Sequence, residues 1–175
     1  TTSARDIRFK PDGTIMYIIC SNRSATGESA RVLQYSLSTA WDVSTASYAN
    51  KSINVNSQDS NVAGLVLSPD GTKVYVGGYS NKTVFQYNLS TAWDLSTGSY
   101  SNNSFATTND FNYSHSALEL NSDASKLFVG AGDYYIAEYS LPSNGNVSNA
   151  SYIATYDVRN TTFGSKNIGG MAFAN

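Results

Sequence analysis

Short apolar runs and alternating runs succeed one another along the chain, separated by polar clusters with Gly, Pro, Asn and Asp. Residues 62–67 (Val-Ala-Gly-Leu-Val-Leu) form a continuous apolar run and read as a buried strand. Pro69, Asp70 and Gly71 follow as a turn, because Pro presets φ and Gly accepts a positive φ that other residues resist. Residues 73–76 (Lys-Val-Tyr-Val) are β-branched and aromatic and read as a second strand. After a loop at 77–82, residues 83–89 alternate as a third strand. A longer connection spans 90–99, and residues 100–107 read as a weaker, polar fourth strand. No stretch keeps a helical period over three turns.

This unit repeats. The run Ile7-Arg8-Phe9-Lys10-Pro11-Asp12-Gly13-Thr14 returns as Leu65-Val66-Leu67-Ser68-Pro69-Asp70-Gly71-Thr72, and again as Leu118-Glu119-Leu120-Asn121-Ser122-Asp123-Ala124-Ser125. Gln34-Tyr35-Ser36-Leu37-Ser38-Thr39-Ala40-Trp41-Asp42 returns as Gln86-Tyr87-Asn88-Leu89-Ser90-Thr91-Ala92-Trp93-Asp94. The third copy keeps Glu138-Tyr139-Ser140-Leu141 but carries Gly145 for Trp and Ala124 for the turn Gly, so its turns are expected to differ. Phe9 and Leu67 lie 58 residues apart, whereas Leu67 to Leu120 and Leu120 to Phe173 are each 53. The first copy therefore holds an insertion, placed at 21–30.

Four strands in a unit of fifty-odd residues is the pattern of a β-propeller blade. The fold class is all-β: an array of four-stranded antiparallel blades, at 4–61, 62–114 and 115–167, with the inner strand of a next blade at 168–175. The most apolar strand comes first and belongs innermost. The most polar comes last and belongs at the edge, where polarity discourages edge-to-edge pairing. One blade does not bury both of its faces, so each needs neighbours. Rings hold 4–8 blades, which makes this array a piece of a larger propeller, by further chain or by oligomerisation.

Composition narrows the function classes. Net charge is −2 and charged residues are only 14% of the chain, with 13 tyrosines. No basic stripe marks a nucleic-acid partner, no polybasic segment marks a membrane surface, and no apolar run is long enough to insert in a membrane. Cys20 is the only cysteine, so no disulfide forms within the chain, and after an apolar run it reads as a small buried hydrophobe. His115 is the only histidine, and adjacency to Ser114 and Ser116 makes no catalytic triad. No catalytic residue, cofactor or metal ligand is assigned.

Candidate recognition residues sit where the repeat varies. The second-to-third-strand loops open on one rim, and function favours such loops over a rigid scaffold. In copy one they include Asn22, Arg23, Glu28 and Arg31; in the shorter loops of the other copies, Tyr79, Asn81, Tyr134 and Tyr135. Trp41 and Trp93, each followed by an Asp (Asp42, Asp94), recur at one repeat position, as do Asp12 and Asp70 with Gly13 and Gly71. Recurrence at equivalent sites points to structure: Asp accepting backbone N–H bonds in turns and Trp closing its loop onto the blade. The functional alternatives are a ring of sugar-stacking aromatics and a calcium site. Sequons stand at Asn22, Asn50, Asn81, Asn88, Asn102, Asn112, Asn146, Asn149 and Asn160, glycan sites only in a secreted eukaryotic protein.

The 68–100 unit, SPDGTKVYVGGYSNKTVFQYNLSTAWDLSTGSY, resembles propeller-like repeats of the PDGTKMYV…YDLSTAWDLSTASY type, found in marine phage structural proteins and bacterial surface proteins. Residues 73–89 are more distantly similar to the YVTN-type propeller repeats of surface-layer proteins. The resemblance implies an extracellular or virion location and a non-enzymatic module for structural display and attachment. Its partner would be a host-surface glycan or protein, or further copies and blades of the same assembly. A self-assembling filament or surface-layer block is the alternative, and a propeller hydrolase or lyase the third reading. The third would need titratable groups clustered at the central rim.

Overall fold

Twelve strands pair strictly in sequence order in the computed structural model, which describes residues 2–22, 29–131, 134–158 and 170–172. Blade 1 contains β1 (Thr2–Phe9), β2 (Ile15–Asn22), β3 (Arg31–Leu37) and β4 (Ala46–Asn54). Blade 2 contains β5 (Val62–Leu67), β6 (Lys73–Gly78), β7 (Thr83–Leu89) and β8 (Gly98–Ala106). Blade 3 contains β9 (His115–Leu120), β10 (Lys126–Ala131), β11 (Tyr135–Ser140) and β12 (Ser151–Asp157). Every pairing is antiparallel, each blade is one sheet, and β1, β5 and β9 lie side by side as the inner strands. The three-blade reading holds. The expected inner strand at 168–175 lies outside the described residues except for 170–172, which are not in a strand.

The hydrophobic cores lie between the blades. One joins Tyr17, Ile19, Val32 and Ile53 of blade 1 to Leu65, Val74, Val76 and Leu95 of blade 2. The other joins Val66, Tyr75 and Val84 of blade 2 to Leu118, Leu127, Val129 and Val147 of blade 3. Blade 2 thus sends alternate residues to opposite neighbours, as the two-residue period of a strand requires. All six residues of β5 are buried, whereas β8 is mostly half-exposed, matching inner and outer positions. Full burial of a Leu or Val side chain is worth about 1.5–3 kcal/mol, so blade-to-blade contact carries most of the stability.

Local chemistry fixes the turns. Asp70 Oδ1 accepts from the Thr72 backbone N at 3.0 Å and its hydroxyl at 2.8 Å, and Asp12 does the same for Thr14. Lys10 beside it, together with the Thr14 bonds, lowers the Asp12 carboxyl pKa to about 2. The third copy, expected to turn differently, keeps the same turn: Asp123 caps Ser125, and Ala124 takes φ 54° where Gly13 and Gly71 have 72° and 69°.

The longer connection after the third strand holds a short 3-10 turn in every blade: Val43–Thr45, Leu95–Thr97 and Val147–Asn149. The side chains of Asp42, Asp94 and Asn146 cap them by accepting from Ser44, Ser96 and Ser148 N. Three residues are too few for periodicity to reveal. Cys20 is half-buried rather than buried.

Candidate functional site

Three charged side chains, Asp6, Arg8 and Glu119, meet across the inner strands. By repeat register, Arg8, Val66 and Glu119 are equivalent, so they stand at one level on β1, β5 and β9. A guanidinium has five N–H donors in a planar fork, and Arg8 uses all five. Nε donates to Leu65 O at 2.6 Å, and Nη1 to Glu119 Oε2 at 2.9 Å and Met171 O at 3.2 Å. Nη2 donates to Leu118 O at 2.6 Å and Asp6 Oδ2 at 3.3 Å. One side chain on β1 therefore ties down the inner strands of blades 2 and 3 and the segment beyond blade 3. Asp6 adds a second tie, accepting from Leu65 N at 3.1 Å. Burial raises the carboxyl pKa of both Asp6 and Glu119, and the Arg8 charge opposes that rise. Among the described residues, no three His, Cys, Asp or Glu side chains are grouped to hold a metal ion.

On the rim of the second-to-third-strand loops, the organising residue is Asp59, which is buried. Its Oδ1 accepts from Asn61 N at 2.8 Å, and its Oδ2 from Ser80 N at 3.0 Å and Asn81 N at 2.9 Å. This stitches the blade 1–2 linker to the β6–β7 loop and presents Tyr79, which is exposed. Asn81 is committed to the scaffold, its Nδ2 donating to Gln58 O at 2.7 Å. Tyr135 stacks on Tyr113 at 4.6 Å, and Tyr134 is half-buried with φ 70°. Asn22 is half-buried at the end of β2, its backbone N donating to Ser60 O. Arg31 is exposed on β3. Arg23 and Glu28 lie outside the described residues.

His115 is also on this side and fully buried. Its Nε2 is 2.9 Å from Thr107 Oγ1, and Thr107 donates its own proton to Phe111 O at 2.9 Å. Nδ1 has no hydrogen-bond partner among the described residues. Burial, with Lys82 nearby, lowers its pKa to about 3.

The opposite rim holds a cavity of about 540 Å³ lined by Phe9, Pro11, Trp41, Trp93, Glu119 and Ser122 among others. Phe9 and Trp41 rings meet at 5.3 Å, and Trp41 is 58% exposed. Each Trp lies over the turn glycine of its own blade, Trp41 also meeting Phe9 of β1 and Trp93 packing against the core between blades 1 and 2. Of the sequon residues, Asn50, Asn81, Asn88, Asn102, Asn112 and Asn149 are exposed and Asn22 and Asn146 half-buried; Asn160 lies outside the described residues.

The charged trio and Asp59 escaped the sequence reading. A signal for two of its members existed: one repeat position on the inner strands holds Arg8, Val66 and Glu119, which includes a charge-complementary pair.

No family model matches the sequence, and no curated protein sequence matches it. Solved structures do resemble the fold. A putative 6-phosphogluconolactonase from Bacteroides fragilis is 16% identical with a TM-score of 0.62, the match covering 89% of this chain and 39% of that one. A functionally unknown protein from Desulfotomaculum acetoxidans is 14% identical with a TM-score of 0.58, covering 87% and 41%. The WD40 repeats of RRP9 are 16% identical with a TM-score of 0.55, covering 89% and 38%. The chain thus spans about two-fifths of the length of the structures it matches, and the likeness, at these identities, is one of fold: a β-propeller array.

Proposed function

We propose that the chain is a non-enzymatic propeller module for structural display and surface attachment, at an extracellular or virion surface. The observation that carries this reading is the commitment of these inner-strand charges. A propeller hydrolase would use its central acid and base on substrate, but here every Arg8 donor is bonded within the protein, and Asp6 and Glu119 are both bonded to Arg8. The resemblance of residues 68–100 to repeats of phage structural and bacterial surface proteins supports the location. Exposed aromatics on a weakly charged scaffold, Tyr79 on one rim and Trp41 on the other, suit adaptable contact with glycans or proteins.

The test is binding of the labelled protein to an immobilised glycan panel, with Tyr79→Ala and Trp41→Ala compared, alongside assays for lactone and glycoside hydrolysis. Saturable binding lost in one variant of unchanged fold supports the reading. Turnover abolished by Glu119→Gln or Asp6→Asn overturns it in favour of an enzyme.

A further inference from the structure

The two junctions between blades are built alike except at one point on the turn rim. At both, a tyrosine hydroxyl reaches the connection of the next blade: Tyr17 donates to Trp93 O and Tyr75 to Gly145 O, each at 2.8 Å. At both, a glutamine Oε1 accepts from the 3-10 turn, Gln34 from Leu95 N at 2.9 Å and Gln86 from Val147 N at 3.1 Å. At the first junction, Ile15 and the Trp93 indole pack against the shared core. At the second, Lys73 stands at the repeat position of Ile15 and Gly145 at that of Trp93. Two apolar side chains are thus exchanged for an ammonium and no side chain. The Lys73 stem lies 3.4–3.6 Å from the Cβ position of Gly145. What remains is an open notch of about 260 Å³, lined by Pro69, Asp70, Lys73, Asp123, Ala124 and Asn144 among others.

The lining is mixed in sign. Asp70 spends Oδ1 on its own turn, accepting from Ser68 Oγ, Thr72 N and Thr72 Oγ1. Asp123 Oδ1 accepts from Ser125 N. The Lys73 ammonium reaches Thr72 Oγ1 at 3.5 Å and, among the described residues, pairs with no carboxylate. Asn144 Oδ1 accepts from Asn146 N at 3.0 Å, which leaves its Nδ2 as a donor. An anion here meets Asp70 and Asp123, and a cation meets Lys73. An apolar ring strips water from the ammonium and gives it no partner. A neutral ring bearing hydroxyls fits all of these groups, because each hydroxyl both donates and accepts. The carboxylates take hydroxyl protons, Lys73 and Asn144 donate to ring or hydroxyl oxygens, and the Pro69 ring and Ala124 methyl supply apolar surface for the C–H face. A cavity of about 150 Å³ holds benzene, so 260 Å³ admits one six-membered ring with its hydroxyls.

We propose that the notch between blades 2 and 3 binds a neutral monosaccharide unit of a glycan. Its walls belong to blades 2 and 3 alone, whatever chain precedes or follows them. The site shares its ligand class with the attachment reading but uses neither Tyr79 nor Trp41, so either can fail without the other.

The experiment is an amide NMR titration of the 175-residue chain with the methyl glycosides of glucose, galactose, mannose and N-acetylglucosamine, each up to ~50 mM, ample for a site of millimolar affinity. The expected result is saturable shifts of the Asp70, Lys73, Asp123, Asn144 and Gly145 amides with at least one glycoside. Lys73→Ile installs the residue that blade 1 carries at this position, and the spectrum of the free variant reports its fold. It should weaken that binding about ten-fold, the loss of one hydrogen bond from a charged donor. Acetate and indole are run as probes of the other two chemistries. Tighter binding of either at the same amides than of every glycoside overturns the proposal, in favour of an anion or an apolar ring. Notch shifts that Lys73→Ile leaves unchanged overturn it, as does the absence of saturable notch shifts with every glycoside. Glycoside shifts confined to the surroundings of Tyr79 or Trp41 overturn it too, while leaving the attachment reading in place.

Discussion

The indole of Trp93 occupies the space that a side chain on Gly71 would need: a Cβ built there overlaps the ring. Gly13 and Trp41 repeat the relationship in blade 1. In blade 3 both partners change together, to Ala124 and Gly145, and the backbone stays the same, with φ of 54° and 64° against 69° and 66° in blade 2. Gly71→Ala is therefore expected to cost about 2 kcal/mol, from the left-handed backbone and displacement of the indole. In a Trp93→Gly background the same change should cost about 1 kcal/mol less. Thermal unfolding of the four proteins of this cycle measures the coupling, and strict additivity would refute the contact.

That pair shows what the sequence does and does not disclose. Strand order, turn positions and blade boundaries follow from short-range pattern, because alternation and Pro-Asp-Gly punctuation are local. Both departures of the third copy are visible, but their shared cause appears only once the two positions are known to touch. The hydrogen bonds of Tyr17 and Gln34 reach partners 76 and 61 residues away, and no local pattern announces them. Arg8 reaches Glu119 across 111 residues. Its equivalence with Glu119 in the repeat was legible; its five-fold saturation was not. Tyr79 differs from Asn81 only in what Asp59 and Gln58 do with the loop around them.

Arg8→Met should destabilise the chain by about 3–5 kcal/mol at neutral pH, because two mostly buried carboxylates lose their counter-charge. The pH response separates this from lost packing. Asp6 and Glu119 have raised folded pKa values, so what the neutral carboxyls contribute is present below their unfolded values and lost as pH rises through the folded ones. Without Arg8 both rise further. The variant's deficit relative to the parent should be small at pH 4 and large at pH 7, in denaturant titrations at each pH. A deficit that does not vary with pH would mean that Arg8 acts by packing alone.

His115 sets an opposite dependence. Its folded pKa, about 3, lies below the ordinary 6.5 because the buried ring resists charging. The neutral ring's contribution is complete above pH 6.5 and falls as pH drops toward 3. Between pH 7 and 5 the loss is about 2 kcal/mol. His115→Leu should flatten stability over this interval, since Thr107 still donates to Phe111 O. Equal acid sensitivity in parent and variant would assign the effect elsewhere.

The inter-blade tyrosine gives the last prediction. Tyr75 is fully buried and its hydroxyl reaches Gly145 O at 2.8 Å. Tyr75→Phe removes one buried hydrogen bond without changing ring packing and should cost about 1 kcal/mol, read as a lower unfolding midpoint. A midpoint equal to the parent's would mean that this hydroxyl contributes nothing across the interface between blades 2 and 3.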